Sequence, residues 1–143
     1  MSWQSYVDDR LVKGCGFVKA TILSLADGGN WASTPGFSVL PNEFAIIKEG
    51  FDNPGVLFEK GLHINGIKFL VNKVEDGNFI LAKYKAPTED NPLNNPNPDS
   101  LETVMCMKSN LAIVVGAINA SGTAGVARNG LAVFVDQLKA SNF

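Results

Sequence analysis

Reactive side chains are scarce in this sequence. Its 143 residues include one histidine, His63, and two cysteines, Cys15 and Cys106. Two cysteines cannot build a disulfide framework or a cysteine-rich zinc site. Cys106 stands between Met105 and Met107 in an apolar run, the setting of a buried, inert thiol. A lone histidine in the strand-like run Gly-Leu-His-Ile-Asn-Gly reads as structural or exposed. There is no Walker loop, no Gly-x-Ser-x-Gly and no His-Glu-x-x-His. The glycine-rich stretch from Gly116 to Gly125 lacks the Lys-Ser/Thr pair that would hold phosphate and metal, so it reads as a loop. No catalytic residue, metal ligand or cofactor is assigned, and an enzyme is not expected.

Charge of one sign is also lacking. The formal net charge is −2, so no global basic field draws the chain to nucleic acid. No apolar run approaches the ~20 residues that span a bilayer, and the stretch Leu111 to Ile118 is far shorter. The N-terminus is polar and acidic where a signal peptide is basic and then apolar. With 45% hydrophobic and 18% charged residues the chain can bury a core. The expectation is a soluble, cytosolic, single domain over residues 1–143.

What is present is a clear pattern of elements. Ser2 is placed to cap a first helix in which Trp3, Tyr6, Val7 and Leu11 recur at helical spacing, and Gly14 and Gly16 stop it. Phe17 to Leu25 reads as a strand, Asp27-Gly28-Gly29-Asn30 as a hairpin turn, and Trp31-Ala32-Ser33 as the returning strand. Pro41 opens a short helix, Asn42 to Glu49, that Gly50 ends. Five further strands are expected over Leu57–Ile64, Ile67–Val74, Asn78–Lys85, Leu101–Met107 and Leu111–Ala117, with turns at Asn65-Gly66, Asp76-Gly77 and Ser109-Asn110. Between the third and fourth of these, Ala86 to Ser100 is rich in proline and asparagine and reads as an acidic surface loop; residues 88–100 form an insertion. Asn129 is placed to cap a last helix with Leu131, Phe134, Val135 and Leu138 on one stripe.

The fold class is therefore α+β. A seven-stranded antiparallel sheet carries the N- and C-terminal helices together on one face and a short helix on the other. On that arrangement Trp3, Tyr6, Trp31, Leu138 and Phe143 converge into an aromatic trough. Such troughs bind polyproline-II ligands, which are already extended and stack their rings on flat aromatic faces. The alternative is that these residues only staple the terminal helices to the sheet.

The opening Met1-Ser2-Trp3-Gln4-Ser5-Tyr6-Val7-Asp8, with Ala20-Thr21-Ile22 and Gly29-Asn30-Trp31-Ala32-Ser33, resembles the profilins. The resemblance continues through Pro41-Asn42-Glu43, Gly61-Leu62, Asn65-Gly66-Ile67-Lys68-Phe69 and the amphipathic last helix, and so spans the chain. It implies the fold argued above and a cytoplasmic, cytoskeleton-associated protein that binds monomeric actin, proline-rich proteins and, in many members, phosphoinositide lipids. Position by position it implies a proline-binding set of Trp3, Tyr6, Trp31, Gln137, Leu138 and Phe143. Gln137 stands where a histidine is common in animals and Phe143 where a tyrosine is common. Phe143 keeps the apolar face but has no phenolic hydrogen to donate. The implied actin surface comprises Lys68, Leu70, Val71, Asn72 and Lys73 on one strand, Lys83 and Lys85 on the next, and Arg128 and Asn129 before the last helix. Lys68, Lys73, Lys83 and Lys85 make only a local patch, suited to weak and salt-sensitive contact with anionic lipid. Two other readings compete: an adaptor of the same fold that binds proline-rich partners or lipid without actin, and a small-molecule sensor domain.

Overall fold

The computed structural model describes residues 3–35, 37–75, 77–84, 101–119 and 124–143. The cap at Ser2, the strand end at Lys85 and the 88–100 insertion lie outside them. Seven antiparallel strands form one sheet: β1 (Lys19–Ser24), β2 (Asn30–Ser33), β3 (Leu62–Ile64), β4 (Ile67–Glu75), β5 (Phe79–Tyr84), β6 (Leu101–Lys108) and β7 (Ala112–Asn119). Their spatial order is β2-β1-β7-β6-β5-β4-β3, a meander from β3 to β7 closed by the first hairpin. Helix α1 begins as one α-turn at Trp3–Ser5 and widens into π-type turns over Tyr6–Lys13. Helices α2 (Pro41–Asp52), α3 (Pro54–Lys60) and α4 (Ala124–Ala140) complete the chain.

Side-chain alternation splits the core in two. On β7, Ala112, Val114 and Ile118 join Val7 and Leu11 of α1 and Leu131, Phe134, Val135 and Leu138 of α4. The intervening Ile113, Val115 and Ala117 join Phe44, Ile47 and Phe51 of α2 and Leu57 of α3. A strand covered on both faces must be apolar on both, which explains the near-continuous run Ala-Ile-Val-Val-Gly-Ala-Ile. The terminal helices thus share one face, and two helices rather than one cover the other.

Four sequence expectations are corrected. The segment read as one strand, Leu57–Ile64, is α3 followed by the three-residue β3. Pro54 starts that helix where its missing N–H costs nothing, and Gly61, at φ 79°, ends it. Gly50 lies inside α2 instead of ending it; a Cβ there would sit 2.3 Å from the Leu57 side chain, so the glycine admits α3. The stretch Gly116–Gly125 is not one loop, because β7 runs to Asn119 and α4 starts at Ala124. Gly116 seats the Phe17 ring, which a Cβ would meet at 2.5 Å. Finally, Arg128 and Asn129 lie inside α4, so Asn129 is not its cap.

Both cysteines are buried and free. Burial pushes the Cys106 thiol up to about 12. Cys15 is also raised by burial, partly offset by the Arg10 charge. Against an ordinary thiol, a group this far raised forms on the order of a thousandfold less thiolate near pH 8. Alkylation of Cys106, followed by peptide mass mapping, should therefore track global unfolding in denaturant and be nearly absent in the native protein.

Candidate functional site

Four aromatic rings from three separate segments meet at the joined ends of the chain. Trp3 is the hub: its ring centroid lies 4.7 Å from Trp31, 5.4 Å from Tyr6 and 5.2 Å from Phe143. Tyr6 continues the run onto Phe134 of α4 at 5.6 Å. Trp3, Tyr6 and Trp31 are half-buried, and Phe143 is 41% exposed, so the cluster presents a surface as well as packing. A groove of about 670 Å³ opens along it, lined among others by Trp3, Tyr6, Phe134, Gln137, Leu138 and Phe143.

Local structure holds each ring. Trp31 follows the first hairpin, where Gly28 (φ 77°) admits the Phe44 ring of α2 that any Cβ would strike at 2.6 Å. The hairpin is pinned by the buried Thr21 hydroxyl donating to the Ala32 carbonyl at 3.1 Å, and by the Ala20 N–H donating to the Thr34 hydroxyl at 3.0 Å. Gln4 joins α1 to β2 by donating to the Ser33 carbonyl at 3.1 Å, which sets Trp3 against Trp31.

The C-terminal end of α4 closes in a Schellman motif. Phe143 N–H donates to the Leu138 carbonyl at 2.8 Å and Asn142 N–H to that of Lys139 at 3.1 Å, with Asn142 at φ 68°. The Ser109 hydroxyl, at 2.6 Å, and the Leu111 N–H both donate to the Phe143 backbone oxygen. The β6–β7 turn therefore latches the last ring into the cluster.

Of the residues implied for proline binding, Trp3, Tyr6, Gln137, Leu138 and Phe143 line this groove. Leu138 is only 4% exposed and serves as floor rather than rim. Trp31 packs at a tilt against Trp3 but borders a second groove of about 420 Å³, with Leu25, Lys48 and Leu111. Phe134 and Arg10 are lining residues that sequence reasoning missed. Phe134 looked like core by its periodicity, and it is core, with one ring edge toward Tyr6. Arg10 sits four residues after Tyr6, and the widened turns of α1 keep both beside the groove.

The implied actin residues are brought together only in part. Lys83 faces Leu70 across the β4–β5 ladder, and both are exposed. A bulge between Val71 and Lys73 breaks the alternation, with Asn72 exposed within it. Val71 points to the α2–α3 face and packs against that core, so it does not share a surface with Leu70. Glu75 accepts from Lys73 at 2.9 Å and from Arg128, joining β4 to α4. Hydrogen bonds from Lys73 and Arg128 hold its carboxyl below the usual range. The Arg128 guanidinium also lies 4.3 Å from the Phe79 ring centroid. Asn129 is exposed one residue on, and Lys68 is half-buried on β4 opposite His63.

The fold and the groove define a class: an α+β domain whose two terminal helices lie side by side on a seven-stranded sheet and carry an open aromatic cleft. The family model described as Profilin matches residues 1–143. The chain is 34% identical to Profilin-3 of Dictyostelium discoideum over 143 residues, all of both proteins. Among solved structures, profilin IB of Acanthamoeba castellanii superposes with a TM-score of 0.80 at 28% identity, covering 99% of this chain and all of that one. Mouse profilin IIa, seen in complex with a double repeat from the FH1 domain of mDia1, shares the fold at a TM-score of 0.76 and 24% identity, with both chains fully covered. This chain belongs to the profilin family.

Proposed function

We propose that this protein binds monomeric actin, regulates its polymerisation, and holds proline-rich segments in a separate aromatic groove. The convergence of Trp3, Tyr6, Trp31 and Phe143 into an open cleft carries the second half of this reading. Rings clustered at 4.7–5.4 Å, tilted or edge-on to one another, offer aromatic faces to a ligand that loses little entropy on docking. The FH1 ligand of the mouse relative is consistent with it. The actin half rests on family membership and on the exposed Leu70, Asn72, Lys73 and Lys83, with Arg128 and Asn129 of α4 alongside Glu75. Lys68 adjoins them on β4, and Lys85 would extend the patch beyond the described residues. Phosphoinositide contact would fall on the same lysines and be weak and salt-dependent. No described helix is long and apolar enough to cross a membrane. With the two ligands on different surfaces, one molecule can deliver actin while docked on a proline-rich assembly factor.

Separability is the test. Lys73→Glu sets a second carboxylate beside Glu75 and should weaken binding to monomeric actin by about tenfold. Oligoproline affinity should be unchanged, because Lys73 is on β4 and the aromatic rings are not. Actin sedimentation and polymerisation assays, with an oligoproline titration alongside, measure both. Wild-type protein that leaves actin assembly untouched would establish the adaptor reading instead. Equal loss of both ligands in a folded variant would sink the two-surface arrangement.

A further inference from the structure

Arg10 is the one charged side chain among the residues that line the aromatic groove. It has no carboxylate partner among the described residues: Asp8 accepts from Gln4 at 3.1 Å, and Asp9 pairs with Lys13 at 3.4 Å. Instead the Arg10 guanidinium lies 5.6 Å from the Phe134 ring centroid and donates to the Gln137 side-chain oxygen. A neutral amide satisfies one donor of five and leaves the positive charge uncompensated. The contact with Phe134 and the bond to Gln137 restrain the side chain, so less freedom is lost when an anion arrives.

The order of the rings gives this cation a place. Trp31, Trp3, Tyr6 and Phe134 follow one another at 4.7, 5.4 and 5.6 Å, and Arg10 stands beyond Tyr6 on Phe134. A polyproline-II segment seated on the first rings leaves the aromatic shelf at the Arg10 end. We propose that Arg10 reads an acidic residue flanking the proline run there, so that the preferred ligand is a proline-rich segment with Asp or Glu beside it. A carboxylate can take the guanidinium in a two-pronged contact that a neutral side chain cannot match. This inference rests on the groove being a proline site.

The test uses terminally capped oligoproline peptides carrying Glu or Gln at either end, titrated into the full chain by calorimetry. Glu at one end should bind about fivefold tighter than Gln at low salt, the scale of one partly exposed charge pair. The preference should shrink at high salt, vanish in Arg10→Met and survive in Lys48→Met, which alters the cation beyond Trp31. Equal affinity for the Glu and Gln peptides, or a preference that persists in Arg10→Met, overturns the role of Arg10 while leaving the groove intact. Failure of every peptide to bind overturns the groove reading and this inference with it. Should Arg10→Met not fold, the salt dependence of the wild-type preference decides.

Discussion

Glu43→Ala should lower the melting temperature by on the order of 10 °C, the largest stability loss expected from any single polar side chain described above. The Glu43 carboxylate is 4% exposed and accepts three backbone N–H groups. Leu40 donates at 2.9 Å and Asn65 at 2.7 Å to one oxygen, and Gly66 donates at 2.7 Å to the other. The first bond is half of a capping box at the start of α2; the Leu40 side chain has no atom to return the other half. The other two hold the β3–β4 turn, whose Asn65 and Gly66 have φ of 50° and 82°. The three bonds are part-buried and end on a charged acceptor, and each such bond contributes about 1.5–3 kcal/mol, so losing all three costs at least about 3 kcal/mol. That is a large share of a stability of roughly 5–15 kcal/mol, and for a chain of this size it converts to the melting shift above. Glu43→Gln keeps the oxygen that serves Leu40 and Asn65 but turns an NH₂ toward Gly66. It should lose about a third as much. A thermal scan of both variants checks the ranking, and equal losses would mean that the negative charge, which both variants remove, sets the cost rather than the number of acceptors.

Glu43 also shows where sequence reading stops. Its place three residues into a proline-led helix was visible, but its partners at Asn65 and Gly66 are fixed by tertiary structure. The strands with alternating or doubly apolar patterns, β4 to β7, were legible because burial on known faces dictates them. So were the turns at Asn65-Gly66 and Asp27-Gly28, where positive φ demands those residue types. Leu57–Ile64 misled because a short apolar run suits either a strand or a buried helix turn. Only Pro54 and Gly61 mark the helix, and both lie at its edges. Gly50 misled for the opposite reason: a glycine that looks like a stop signal serves a close approach of two helices, which no local pattern encodes. The meeting of Trp3, Tyr6 and Phe143 in one half-exposed cluster was legible because Trp and Tyr suit a half-wet surface and the terminal helices share one face. Arg10 was not, since its role depends on Phe134 and Gln137 lying across from α1.

Trp3→Ala should abolish measurable oligoproline binding, with a loss of at least about 30-fold that matches a central aromatic anchor of about 2 kcal/mol or more. Trp3 is the ring that touches Tyr6, Trp31 and Phe143 alike, so its removal splits the platform into pieces. The neighbours keep their own tethers, Phe143 by Ser109 and the Schellman turn and Trp31 by the hairpin, with one edge contact of 6.5 Å left between them and Tyr6 left on Phe134. Full truncation of a buried aromatic costs ~3–5 kcal/mol, and a half-buried one such as Trp3 should cost less, leaving the domain folded. Trp3→Phe should retain part of the affinity, because a smaller ring still bridges to Trp31. Calorimetry against oligoproline, run beside a denaturant melt of each variant, separates lost contact from lost structure. A folded Trp3→Ala variant that binds like the wild type would mean that the aromatic cluster only fastens the terminal helices together. Loss of binding at a stability still well above zero, with Trp3→Phe intermediate, would assign the cluster its ligand.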